Sequence, residues 1–323
     1  MPQGGYAWWY CDALSDDGQF GLTIIAFIGS VFSPYYAWAG RQNPQDHCAL
    51  NVALYGRRGA RWAMTERRAH DVDVAPEGLQ IGPSAISWDG QSLTVEIDER
   101  TMPTGQKVKG TVRVHPDAVT KQIFALDAAG HHRWWPIAPS MRCEVELSDP
   151  DLSWSGRGYL DCNDGEIPLE DSFAQWDWSR AALDGGESAV LYDVTRADGE
   201  RMSLALRFNA AGEVDTFEPA PLVQLPTTLW RIERHTQADD GDAQVTRTLE
   251  DTPFYARSEL STRVLGQKVA AVHETLNLRR FDSNWVKVLL PFRMPRAVWS
   301  KRPGGVQAQT ATPRSGTHGH CDQ

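Results

Sequence analysis

Two short strings in this sequence place side chains with complementary chemistry two residues apart. In Gly130-His131-His132-Arg133-Trp134-Trp135-Pro136 the pair is His132 and Trp134, and in Gly156-Arg157-Gly158-Tyr159-Leu160-Asp161 it is Tyr159 and Asp161. Residues two apart on a β-strand face the same side. If both strings are strands and both faces look inward, one pocket holds an imidazole, an indole, a phenol and a carboxyl. Such a set can donate or accept a proton and present aromatic faces to a ligand. The plainer reading makes Trp134 and Tyr159 ordinary core aromatics and lets Asp161 close the turn that follows. Spacing alone does not choose between them.

Other acids are candidates for the same work. Asp12, Asp164, Glu166 and Asp193 are expected in turns or on solvated faces. Arg157 falls on the same strand face as Asp161 and, if close, would hold that carboxyl ionised. A four-residue offset separates them by about 13 Å, so the expected coupling is weak.

Other chemistries lack their residues. There is no GxGxxG after a strand, no Walker sequence, no HExxH and no GxSxG. His131 and His132 are adjacent and cannot both point inward from a strand, which argues against a two-His metal site. His318-Gly319-His320-Cys321 could chelate a metal adventitiously, without supporting residues around it. Five scattered cysteines, Cys11, Cys48, Cys143, Cys162 and Cys321, read as free thiols in a reducing cytoplasm. Neither a cofactor nor a metal is expected.

The elements that must position these residues are strands nearly throughout. Tyr6–Leu14 and Phe20–Val31 flank a turn at Asp17-Gly18, and further short apolar runs recur with turns at Asp89-Gly90 and Asp198-Gly199. That spacing belongs to a β-sandwich or barrel. The stretch Leu169–Leu183 reads as one or two helical turns between two β units. Tyr10, Asp12 and Asp17-Gly18 are loosely repeated by Tyr192, Asp193 and Asp198-Gly199, which suggests two related units in tandem. The expected division is residues 1–168, residues 169–299, and a disordered tail at 300–323, where Arg, Gly, Thr, Gln and Pro dominate.

The 323 residues carry 42 acidic against 32 basic side chains, a net charge of −10, which excludes a nucleic-acid partner in the absence of a basic face. Thirteen tryptophans suit an apolar pocket. The longest apolar run, Leu22–Val31, is too short to span a bilayer, and the first residues lack the pattern of a signal peptide.

Three long strings, YAWWYCDALSDDGQFGLTIIAFIGSVFSPYYAWAGR, HHRWWPIAP and GRGYLDCNDGEIPLEDSFAQWDWSRAAL, resemble the carotenoid 1,2-hydratases, or hydroxyneurosporene synthases. The likeness runs from about Gly5 to Trp299. The wider superfamily, which shares GYxDxNxG and the downstream Trp176-x-Trp178, is similar to tandem lipocalin-like antiparallel β-barrels, so an all-β fold of two such barrels is implied. It also holds relatives with other reactions, so superfamily membership alone does not fix the chemistry.

The resemblance implies addition of water across the terminal C1=C2 bond of an acyclic carotenoid such as neurosporene or lycopene, giving a 1-hydroxy product. It places the active-site residues at His132, Trp134, Tyr159 and Asp161, with Asp161 first as proton donor. Carotenoid and water are the implied partners. A hydrocarbon dissolved in the membrane implies a cytoplasmic protein held peripherally at the inner, photosynthetic membrane, with Phe27–Trp38 as a possible contact. A carotenoid or lipid carrier that leaves its ligand unchanged, and a cofactor-free isomerase or cyclase using the same acid, are the alternatives.

Overall fold

A computed structural model describes residues 1–297; the expected tail at 300–323 and the His318–Cys321 string lie outside the described residues. Strand occupies 58 % of the chain and helix 11 %, which settles the all-β class. The first twelve strands in chain order are β1 (Tyr6–Ser15), β2 (Phe20–Ile28), β3 (Cys48–Gly56), β4 (Arg61–Arg67), β5 (Val72–Ala75), β6 (Gly78–Ile81), β7 (Ser84–Trp88), β8 (Leu93–Arg100), β9 (Lys107–Pro116), β10 (Phe124–Ala125), β11 (His132–Asp149) and β12 (Asp151–Gly165). They form one antiparallel sheet with path β4-β3-β2-β1-β12-β11-β9-β8-β7-β6-β5, and β10 pairs β11 beside it. A bridge between Ala63 and Thr101 brings the β4 edge against the end of β8, so the sheet is a nearly closed barrel.

After α1 (Pro34–Trp38), which lies between β2 and β3, the next helix is the single turn α2 (Leu169–Ser172). A second sheet follows, built from β13 (Phe173–Ala182), β14 (Ser188–Arg196), β15 (Arg201–Phe208), β16 (Val214–Thr216), β19 (Ala243–Asp251), β20 (Tyr255–Val264) and β21 (Gln267–Asn277). Its order is β16-β15-β14-β13-β21-β20-β19, and β17 (Leu222–Leu225) with β18 (Arg234–Gln237) forms a separate ribbon. In both sheets the first strand pairs with the second and with the last, so the two units share one meander order. The helices α3 (Leu278–Phe281) and α4 (Asn284–Leu289) close the described chain. Among the described residues no helix is long and apolar enough to cross a membrane.

Two sequence expectations shift. Of Leu169–Leu183 only α2 is helical, and the rest is β13. Trp176 and Trp178 alternate with polar neighbours and are both buried, a period of two that a strand satisfies and a helix does not. The run Leu229–His235, one of the short apolar runs that the sequence offers as a strand, is extended only from Arg234, because Leu229 and Trp230 lie exposed in the preceding loop.

The apolar residues sort into two main cores by strand face. Leu22, Ile24, Leu50, Val52, Val112, Val145 and Leu160 fill the barrel interior. The opposite face of β1, β2, β11 and β12 carries Trp8, Tyr10, Phe27, Trp134 and Tyr159, which pack against Trp176, Trp178, Tyr192 and Val272 of the second sheet. That aromatic seam between the sheets contains Trp134 and Tyr159, two of the four candidate site residues.

Candidate active site

Period-two alternation sends Tyr159, Asp161 and Asn163 of β12 to the seam and Leu160 to the barrel interior. On the neighbouring strand, Trp134 pairs with Asn163 in register and faces the same way. The result is a tight group. The indole Nε1–H of Trp134 and the hydroxyl of Tyr159 both donate to Oδ2 of Asp161, each at 2.9 Å. Trp134 and Tyr159 are fully buried, and Asp161 is 4 % exposed.

Burial raises the Asp161 carboxyl to about 8, against the two donors, which favour the ionised form; Glu274 and Asp12 push in the same direction as burial. With Oδ2 taken by two donors, Oδ1 is met by the Asn163 amide Nδ2, which donates to it at a long 3.5 Å, while the Asn163 carbonyl oxygen is buried and unpartnered.

Arg157 does not reach this group. It lies on the surface with Asp117 at 2.5 Å, its side chain half exposed. Two glycines of the GYxDxNxG string admit the packing. A Cβ at Gly158 would meet the Asp12 carbonyl oxygen at 2.2 Å, and one at Gly165 would meet the Tyr6 ring at 2.5 Å and His132 Nδ1 at 2.8 Å.

His132 shares the seam face but not the group. It pairs with Gly165, four residues along β12 from Asp161, or about 13 Å of strand. Its Nδ1 meets the Tyr6 hydroxyl at 2.8 Å and its Nε2 the Ser172 hydroxyl at 2.8 Å. Burial pushes the ring down to about 4, so it is neutral near pH 7. His131 is only half-buried, as alternation requires.

Of the alternative acids, Asp164 is bidentate to Arg133, which also approaches Glu166 at 3.6 Å, on the partly exposed rim. Asp12 and Asp193 correct the expectation of turns or solvated faces. Asp12 is fully buried and bound at 2.8 Å by Arg180 and at 2.5 Å by Arg257, both from the second sheet. Asp193 is buried and accepts from Ser203 and Gln237. Both point off strands rather than turns; two arginines from distant segments satisfy Asp12, and a neutral hydroxyl and amide satisfy Asp193.

Sequence reasoning missed Tyr10, Asn163 and the facing rings of Trp178 and Tyr192. Tyr10 stands opposite Asp161 on β1, 6.3 Å from the Tyr159 ring and 5.7 Å from Trp178. Its hydroxyl donates to Glu274 at 2.7 Å and receives Arg257. Tyr192 faces Trp134 at 5.1 Å and Trp178 faces Tyr159 at 5.0 Å. Asn163 was open to the same two-apart rule that paired Tyr159 with Asp161.

One strand further along the seam lies an apolar cavity of about 230 Å³. Ile25, Phe27 and Met64 wall it on the barrel side; Phe254, Val286 and Leu290 wall it on the other. Ile25 is the β2 neighbour of Tyr10, so Tyr10 stands between the cavity and Asp161. Among the described residues no cluster of three metal-ligating side chains occurs, and Cys11, Cys48, Cys143 and Cys162 are free.

The sequence matches the carotenoid hydratase CrtC family over residues 24–302. The chain belongs to the carotenoid hydratase family. Membership makes it a hydro-lyase. It is 58 % identical over 301 residues to the acyclic carotenoid 1,2-hydratase of Thiocapsa roseopersicina, covering 92 % of this chain and 74 % of that one. The protein of the same name from Rubrivivax gelatinosus is 52 % identical over 303 residues, with the same coverage. That of Cereibacter sphaeroides is 42 % identical over 283 residues, covering 87 % of this chain and 99 % of its own.

Solved structures agree on the lipocalin-like fold. An AttH candidate from Nitrosomonas europaea superposes with a TM-score of 0.56 at 13 % identity, covering 84 % of this chain and 92 % of its own. Kievitone hydratase of Nectria haematococca gives 0.51 at 10 % identity, covering 88 % and 92 %.

Proposed function

We propose that this hydratase adds water across the terminal C1=C2 bond of acyclic carotenoids such as neurosporene and lycopene, with Asp161 as the acid. The observation that carries the reading is the Asp161 carboxyl itself: buried, raised to about 8, and donated to by Trp134 and Tyr159 on one oxygen only. An unactivated trisubstituted alkene is a weak base, so its protonation needs an acid kept un-ionised by its surroundings. The second oxygen, Oδ1, carries the proton. With the Asn163 amide turned oxygen-first, that proton has its acceptor until substrate arrives.

Transfer of the Asp161 proton to C2 breaks the O–H bond, forms C–H and leaves a tertiary cation at C1. The faces of Trp134 and Tyr159 stabilise that cation, by about 2 kcal/mol or more where water is excluded. Water then forms the C–O bond at C1, and its surplus proton returns to the Asp161 carboxylate, restoring the acid. The return to Asp161 is favoured over His132 because both ring nitrogens of His132 are engaged by Tyr6 and Ser172. His132 then holds the far end of the seam and acts as a positioning residue. The addition is redox-neutral, so it draws on a carboxylic acid and water alone.

In this reading residues 1–168 and 169–299 are two domains and the substrate lies between them, its end group reaching Asp161 past Tyr10. Because the substrate is dissolved in bilayers, the protein works as a peripheral protein at the inner membrane. Incubation with lycopene in detergent, without additives, tests the activity. A mass gain of one water per converted end supports it. Tight binding at unchanged mass makes the protein a carrier, and unchanged mass with shifted retention makes it an isomerase or cyclase.

A further inference from the structure

The face expected to meet lipid, Phe27–Trp38, is mostly core: Phe27, Ile28, Val31 and Tyr36 are buried, and Trp38 alone is strongly exposed. The exposed apolar residues gather elsewhere. Trp285, Val288 and Leu289 of α4, with Phe292 just beyond, stand 47 %, 59 %, 45 % and 74 % exposed. Leu229 and Trp230 come up beside them from the loop before β18, and the Trp230 and Trp285 rings stack at 6.4 Å.

The inward side of α4 is apolar too, since Val286 is fully buried and lines the cavity. A helix apolar on both sides is ordinarily covered on both. Here one side packs on protein and the other faces out. Tryptophans with one end wet are the residues that settle at a lipid headgroup boundary.

Charge selects among occupants. Lys287 pairs with Asp282, Arg293 with Glu250 and Arg296 with Asp46 and Glu66, while Arg279, Arg280 and Arg231, the last exposed beside Trp230, have no ion pair among the described residues. In a chain at −10, these three form a small basic rim beside the apolar patch. A second copy of an acidic protein gains less from that arrangement than an anionic bilayer does.

The patch is also continuous with the cavity. Trp230 and Leu289 are exposed on the surface and line the cavity as well. At about 230 Å³ the cavity is smaller than the roughly 300–1,000 Å³ of pockets that enclose a whole drug-sized ligand. It takes the end of a long polyene and leaves the remainder outside its mouth.

We propose that α4, Phe292 and the Leu229–Trp230 loop form the membrane-docking face, which sets the cavity mouth on an anionic lipid surface so that a carotenoid end enters from the bilayer. The proposal rests on the reading that the substrate is a membrane-dissolved carotenoid. Its test is flotation of the full chain with phosphatidylcholine vesicles, with and without phosphatidylglycerol. Wild type binds the anionic vesicles and is weakened by salt. The triple variant Trp285→Ser, Val288→Ser, Phe292→Ser, none of them lining the cavity, loses at least about ten-fold in partitioning. It keeps its turnover of lycopene in detergent, and Trp38→Ser binds vesicles like wild type.

Phe292→Ser alone shows a smaller loss in the same direction, and a residue so exposed can be changed without disturbing the core. Wild type that ignores both vesicles, or a folded triple variant that binds as wild type does, overturns the assignment. So does a shift from dimer to monomer in the triple variant without vesicle binding by wild type, which makes a second copy the occupant. Vesicle binding without hydration in detergent leaves this face standing and removes the proposed reaction.

Discussion

Tyr10 lies directly across the β1–β12 ladder from Asp161, while its hydroxyl reaches over the seam to Glu274 of the second sheet at 2.7 Å. One residue therefore lies beside Asp161 on one strand, beside the cavity-lining Ile25 on the other, and against the opposing sheet.

Asp161→Asn keeps size and most hydrogen bonding but removes the proton. Hydration falls by roughly 10²–10⁴-fold while carotenoid binding persists. In D₂O the wild-type product carries deuterium at C2; product free of deuterium would falsify acid protonation by an exchangeable group.

The wild-type rate declines as pH rises through about 8, where Asp161 ionises. Stability follows the same group. Its folded pKa is raised above the unfolded value of roughly 4, so the native state binds more protons between those values and stability falls as pH rises across that window. Asp161→Asn is accordingly more stable than wild type above pH 8, by a few kcal/mol at order of magnitude, as measured by urea unfolding at two pH values.

Trp134→Phe and Tyr159→Phe each remove a donor that favours the carboxylate. The alkaline limb of the pH–rate profile moves to higher pH in both. Trp134→Phe retains more turnover than Trp134→Ala, because a phenyl face still opposes the cation. A limb that moves to lower pH in both variants contradicts the hydrogen-bond assignment.

His132 is neutral well above its value of about 4, so the rate shows no inflection near 6.5. His132→Ala leaves the Tyr6 and Ser172 hydroxyls without their partner and lowers stability by about 1–3 kcal/mol. Its turnover stays well above that of Asp161→Asn. Equal loss of turnover in the two variants returns His132 to the reacting centre.

Met64→Trp fills the cavity from its barrel side. The apparent KM for lycopene rises several-fold while the fold survives, checked by near-UV circular dichroism and by turnover at saturating substrate. An unchanged KM places the substrate elsewhere along the seam.

Much of this was legible in the sequence because strands reveal their faces locally. Period-two spacing paired Tyr159 with Asp161 and His132 with Trp134, and the same rule set His131 apart. It could not say which side of the barrel those faces meet, since Leu160 and Asp161 alternate equally well whichever is inside. Nor could it supply register between strands far apart in the chain, which is what separates His132 from Asp161 and brings up Tyr10. The Tyr10–Tyr192 repeat was read one strand out of phase. By position in the sheets β1 corresponds to β13, not to the β14 that carries Tyr192. Asp12 was misplaced because its partners, Arg180 and Arg257, are 168 and 245 residues away.

Asp161 sits on the outside of the barrel. Were the first sheet to stand alone, Asp161 would meet bulk water, its carboxyl would relax toward the ordinary acid range, and the acidity on which the proposed reaction rests would vanish though every atom of the barrel were in place. The second sheet thus serves as insulation: it contributes Trp178 and Tyr192 as a dielectric wall rather than as reagents. Splitting the chain would divide the reaction from the scaffold that carries its acid.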